Sequence, residues 1–173
     1  MKERNIALIG FRATGKSAVG KPLAEKLGRV FIDMDLHLTA CAGRDIACWV
    51  RMEGWASFRR AESELLAVLG SRENLVVATG GGVVLNPENR RVLKERFFTV
   101  WLKAGPETIY SRISADPLSP ANRPALSDMS PQEEIRALLA ERAPLYAEVA
   151  DLEIYGEGKS VPEIVEAIAR SME

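Results

Sequence analysis

Gly10-Phe11-Arg12-Ala13-Thr14-Gly15-Lys16-Ser17 fits the pattern G-x-x-x-x-G-K-[ST]. An apolar run rich in strand formers, Ile6 to Ile9, leads into it, and a segment with helical spacing begins at Lys16. Strand, glycine-rich loop and helix in that order form the setting in which the pattern cradles phosphate. Loop amides and the first N–H groups of the helix face the anion, and the helix dipole adds positive potential there. Gly15 permits close approach, Lys16 neutralises charge, and the Ser17 hydroxyl offers an oxygen to Mg2+. The expected nucleotide contacts are Gly10, Ala13, Thr14, Gly15, Lys16, Ser17 and Ala18, with Lys16 also serving catalysis. A glycine-rich turn that merely caps a helix is the plainer reading of the same residues.

Outward from this loop, further apolar runs recur at Val30 to Ile32, Leu75 to Ala78, Phe97 to Leu102 and Leu152 to Tyr155. Helical spacing separates them, at Lys16 to Leu27, Trp55 to Leu69, Pro87 to Arg96, Pro106 to Ile113, Pro131 to Ala147 and Pro162 to Ser171. Continuous rather than alternating apolar runs mark strands covered on both faces, so the pattern predicts an α/β fold: five parallel strands between two helical layers, joined by right-handed crossovers. Leu36 to Gly54 reads as helical but irregular. Asp116 to Pro131 holds four of the nine prolines and no periodicity, the mark of a long surface loop. No internal repeat or low-complexity tract divides the chain, so residues 1–173 read as one domain.

Charge narrows the function. With 23 Lys and Arg against 24 Asp and Glu, the net charge of -1 supplies no field for nucleic acid or an anionic membrane. The 173 residues, 47% hydrophobic, suffice to bury about two-thirds of the unfolded surface without metal or disulfide staples. Cys41, Cys48 and the single His37 match no zinc spacing, and reduced thiols fit a cytoplasmic protein. Ile6 to Ile9, preceded by Lys2 and Arg4, is too short for a signal-peptide core or a membrane span. A guanine-reading Asn-Lys-x-Asp is missing, and the length leaves no room for the accessory domains of most motor ATPases. Phosphoryl transfer from ATP to a small molecule becomes the leading class.

Several motifs suit the acceptor side. Asp33 and Asp35 lie at the C-terminal end of the second expected strand, the edge where open α/β sheets bind ligands, and strand period puts both on one side. One carboxylate would stand beside Ser17 and hold hydrated Mg2+; the other would orient an acceptor hydroxyl and take its proton. A helix N-cap at Asp35 is the competing reading. Arg59 and Glu62 stand three apart on a helix, so the carboxylate can brace the guanidinium for an anionic ligand, although a surface ion pair is the commoner fate. Gly80, Gly81 and Gly82 follow a strand and let backbone amides approach a ligand. Arg123, in the long loop, would swing over the phosphates and stabilise transition-state charge, and Arg142 sits on the following helix.

Taken together, the phosphate loop, Phe31-x-Asp33-x-Asp35, Phe58-Arg59-x-x-Glu62, Gly80-Gly81-Gly82, Arg123-Pro124 and Arg142-x-Pro144-Leu145-Tyr146 resemble the shikimate kinase family over nearly the whole chain. The resemblance implies a nucleoside-monophosphate-kinase-like fold with a mobile lid, here at about 112–131, and ATP phosphorylating the 3-hydroxyl of shikimate in aromatic amino acid biosynthesis. It implies shikimate contacts from Asp35, Arg59, Gly81 and Arg142, with the two arginines on the carboxylate, and Gly80 and Gly82 are expected to line the same acceptor site. It assigns Mg2+ to Ser17 and Asp33, the transferring phosphoryl to Lys16 and Arg123, catalysis to Lys16, Asp35 and Arg123, and the adenine to Arg112. A cytoplasmic monomer is the expected form.

The chain departs from the family's pattern at three places. Ala13 stands for a glycine common in the loop, Trp55 stands where Glu is usual, and the interval from Arg112 to Arg123 is longer. A kinase for another polyol acid such as gluconate would share the cradle, and a nucleotide-binding regulator without turnover is the alternative from another class. An AMP-binding pattern of the Asp-Gly-Phe-Pro-Arg type is missing, which argues against adenylate kinase.

Overall fold

In the computed structural model, which describes residues 4–116 and 130–172, the first apolar run is strand β1 (Asn5–Ile9), buried at all five positions. It lies in the middle of a sheet completed, among the described residues, by β2 (Val30–Asp33), β3 (Leu75–Ala78), β4 (Phe97–Lys103) and β5 (Leu152–Tyr155). The order is β2-β3-β1-β4-β5 and every pairing is parallel, as the uninterrupted apolar runs require. Leu8 is in register with Ala78 on one side and Val100 on the other, and Asp33 is in register with Ala78. The loops after β1, β2 and β3 therefore leave the sheet side by side at its C-terminal edge.

Strand alternation divides the core into two layers. Ile6 and Leu8 face α1 (Lys16–Leu27) and α7 (Val161–Arg170) through Val19, Leu23, Ile164 and Ile168. Ala7 and Ile9 face the opposite layer, where α2 (Met34–Ala42), α3 (Ile46–Gly70), α4 (Pro87–Arg96) and α6 (Pro131–Val149) contribute Met34, Leu66, Leu93 and Tyr146. Fully burying a side chain such as Leu8 or Leu66 stabilises by about 1.5–3 kcal/mol. Helix α5 (Pro106–Ala115) closes a smaller cluster of Ile109, Phe11 and Ile135. Capping boxes at Ser130–Glu133 and Ser160–Glu163 start α6 and α7. No described helix is long and apolar enough to cross a membrane, and Cys41 and Cys48 are both free thiols.

The structure corrects two expectations. Helix α2 begins at Met34, so the helix cap is Asp33, whose Oδ1 accepts a hydrogen bond from Leu36 N at 3.1 Å, and Asp35 sits inside the first turn. Strand period consequently does not govern the spacing of the two carboxylates. The irregular stretch from Leu36 to Gly54 resolves into α2, a left-handed turn at Gly43 and the first half of α3. Arg123, with the rest of the expected loop over 117–129, lies outside the described residues.

Helix α3 is broken at Gly54, whose φ of 79° and ψ of 166° belong to a region essentially restricted to glycine. A Cβ there would meet nothing within 4 Å, so only the backbone demands glycine. Replacing Gly54→Ala is expected to destabilise the fold by about 1–3 kcal/mol in chemical denaturation despite the open space. An unchanged midpoint would mean that the break is not required.

Candidate active site

The phosphate loop runs from β1 into α1 at the centre of the sheet edge. Gly15 caps α1 with φ 95° and no side-chain acceptor, which leaves the amides of the first turn to an anion. Thr14 Oγ1 donates to Phe11 O at 2.8 Å and pulls the loop tight, while Ala18 lies exposed in the first turn of the helix. Lys16 Nζ donates to Gly10 O at 2.9 Å and Phe11 O at 2.7 Å, so its ammonium already lies across the loop. The Ser17 hydroxyl donates to Asp33 Oδ2, which joins the loop to the end of β2.

Ala13 carries a φ of 61°, in the left-handed region where a side chain costs about 1–2 kcal/mol relative to ordinary backbone. Its carbonyl accepts a hydrogen bond from Arg112 Nη1 at 3.0 Å. Arg112 lies in the last turn of α5, and Glu157, from the β5–α7 loop, holds that helix at its other end by accepting from Gly105 N at 2.6 Å. Hydrogen bonds from Gly105 N and then the Thr108 hydroxyl, followed by the charge of Arg112, hold the Glu157 carboxyl below its ordinary pKa. Because the folded value is depressed, this contribution is present above the ordinary carboxylate pKa and is lost as pH falls through the lower folded one.

The other expected residues gather around Gly80–Gly82, at the end of β3. Arg59 Nη1 donates to Glu62 Oε2 at 2.7 Å, and Glu62 has no solvent exposure. A Cβ on Gly82 would run into the Arg59 guanidinium, and one on Gly80 would run into the Glu62 carboxylate and approach Asp35 Oδ1 at 3.1 Å. Gly80 and Gly82 thus make room for the protein's own side chains, a different cause from the ligand approach expected of them. Gly81 O accepts from the Tyr146 hydroxyl and from Arg142 Nη1 at 3.3 Å, and Arg142 is only 6% exposed. An added Cβ on Gly81 would lie 3.2 Å from Arg12 N, so the glycine turn abuts the phosphate loop.

One described constellation therefore brings together the loop, Ser17, Asp33, Asp35, Arg59, Gly80, Gly81, Gly82 and Arg142. Two contributors, Phe11 and Arg12, were not singled out by sequence, and Trp55 was noted only as a departure from the family's pattern. The Phe11 ring lies beneath two guanidiniums, with Arg12 Cζ at 5.9 Å and Arg142 Cζ at 5.6 Å from its centroid. Trp55 lies against Arg59, with Cζ 5.2 Å from its ring centroid. Only the place of Phe11 and Arg12 in the variable part of the loop, and of Trp55 one helical turn before Arg59, could have signalled them.

Comparison with known proteins decides the family. The shikimate kinase family model matches residues 12–173. The chain belongs to the shikimate kinase family. The shikimate kinase of Symbiobacterium thermophilum is 43% identical over 169 residues, 98% of this chain and 96% of that protein. The structure of shikimate kinase from Acinetobacter baumannii in complex with shikimate superposes with a TM-score of 0.91 at 36% identity, covering 98% of this chain and 93% of that one. A gluconokinase from Sinorhizobium meliloti, with a TM-score of 0.57 at 16% identity over 99% of this chain and 93% of that one, shares the fold alone. Ala13 holds a left-handed backbone that glycine would adopt without that cost. Ala13→Gly is expected to stabilise the protein by about 1 kcal/mol, seen as a rise of roughly 2–4 °C in the thermal midpoint. A fall would show that the loop gains nothing from relief of that strain.

Proposed function

We propose that the protein is a shikimate kinase that moves the γ-phosphoryl group of ATP to the 3-hydroxyl of shikimate. The observation that carries this reading is the convergence of Arg59 and Arg142 on one glycine turn that itself abuts the phosphate loop. Two planar guanidiniums suit a carboxylate, and the adjoining Asp35 suits a hydroxyl on the same small ring.

Ser17 and Asp33 supply two oxygens already in contact, and the described residues contain no group of three or more His, Cys, Asp or Glu that could enclose a metal. That donor set fits Mg2+, which takes one or two protein oxygens and leaves its other positions to phosphate and water. When bound there, the ion neutralises charge on the phosphates. The amides of the loop and of α1 orient the β- and γ-phosphates, and Lys16 shifts from the carbonyls of Gly10 and Phe11 to the transferring group. Arg59 and Arg142 fix the acceptor's carboxylate. The 3-hydroxyl oxygen attacks phosphorus, the bond to the ADP oxygen breaks, and Asp35 takes the hydroxyl proton. Arg123 is assigned to charge on the transferring phosphoryl, and Arg112, which bonds the loop at Ala13, borders the base side of the nucleotide.

Coupled ADP release is the direct test. Turnover that depends on shikimate and is weak with gluconate is expected; ATP binding without acceptor-dependent turnover would favour a regulator. Asp35→Asn should lower kcat by about 10²–10⁴. Arg59→Lys, which keeps a charge against Glu62 but loses the fork, should raise the KM for shikimate about tenfold or more and leave that for ATP nearly unchanged. Equal changes in both KM values would argue against a carboxylate grip.

A further inference from the structure

Arg59 is held in two different ways. Its edge, through Nη1, meets Glu62 at 2.7 Å. Its Cζ also lies over two aromatic rings, 5.2 Å from the Trp55 centroid and 5.5 Å from that of Phe58. Those rings are themselves fixed. Trp55 meets Phe58 edge-on at 6.0 Å and 82°, and Phe58 meets Trp49 at 5.6 Å and 88°, inside a cluster with Leu38 and Ile46. The break at Gly54 restarts the helix at Trp55, one turn before Arg59, which is the spacing that brings two side chains together on a helix.

We propose that Trp55 is a positioning residue for acceptor binding, its indole holding the Arg59 guanidinium in place by a cation–π contact so that its N–H donors stay available to the acceptor's carboxylate. A cation–π contact consumes none of the five N–H donors of a guanidinium. A carboxylate in this place would instead compete for those donors. The side chain at 55 thus helps to place the grip, while Glu62 balances its charge. This inference rests on Arg59 gripping the acceptor.

Steady-state kinetics on the full chain test it. Trp55→Leu keeps apolar bulk against Phe58 but removes the π face, and it should raise the shikimate KM about fivefold, with kcat and the ATP KM nearly unchanged. Trp55→Phe keeps a weaker face and should fall between the two. Equal shikimate KM values for Leu and Phe variants, or no rise in either, would overturn the proposal. Should the Leu variant fail to fold, Trp55→Phe decides alone: a selective rise in the shikimate KM supports the role, and none refutes it. Arg59→Lys separates the failures. If it leaves the shikimate KM unchanged, the grip itself is wrong and the proposal falls with it; if it raises that KM while Trp55→Leu does not, only the role of Trp55 is lost.

Discussion

A carboxylate sealed from solvent has to be met by a positive charge, and Glu62 imposes that condition on the whole acceptor side. Arg59 answers it from one helical turn away, at 2.7 Å, which fixes where its guanidinium must lie. The end of β3 can then carry no side chain at 80 or 82, because both places are filled by the pair. Gly81 between them is pinned through its carbonyl by Tyr146 and Arg142, so α6 is drawn to the same point. An ion pair buried on its carboxylate side thereby helps to align two helices and a strand end beside the phosphate loop. Removing Arg59 would leave the sealed Glu62 carboxylate short of its positive partner, so the arrangement is specific as well as close.

How much of this could be read from the chain follows from the range of each interaction. The phosphate loop and the five strands depend on patterns within a few residues, and they stand where spacing and apolar runs put them. The break in α3 was visible only as irregularity, since a glycine's φ is not written in its neighbours. Asp33 and Asp35 exchanged capping roles because β2 ends where Asp33 turns its carboxylate to Leu36 N and to the Ser17 hydroxyl, the latter contact coming from sixteen residues away. The glycine turn was legible as a site but not in its cause: the atoms that exclude a Cβ belong to Arg59 and Glu62, on another element.

Departures from the family's pattern become intelligible at the same level. Trp55 substitutes a ring for a charge, and the ring has a defined partner in Arg59 and a defined support in Phe58. A cation–π contact leaves the N–H donors of a guanidinium uncommitted, which a carboxylate neighbour would not. The change is conservative in position and not in electrostatics.

Ala13 presents the opposite case, in which the substitution keeps the shape and adds strain. An alanine at φ 61° holds that conformation only if its surroundings determine it. The Arg112 hydrogen bond to its carbonyl, which spans 99 positions of sequence, supplies such a constraint. Glu157 fixes the far end of the helix that carries Arg112. The shape of the phosphate loop is thus set partly by α5, the element that leads toward residues 117–129. Anything that draws Arg112 away from Ala13 would have to replace that hold, so the position of α5 and the geometry of the loop are coupled through one guanidinium. In a loop with glycine at position 13, the same hydrogen bond would have less strain to resist, and the coupling would be correspondingly weaker.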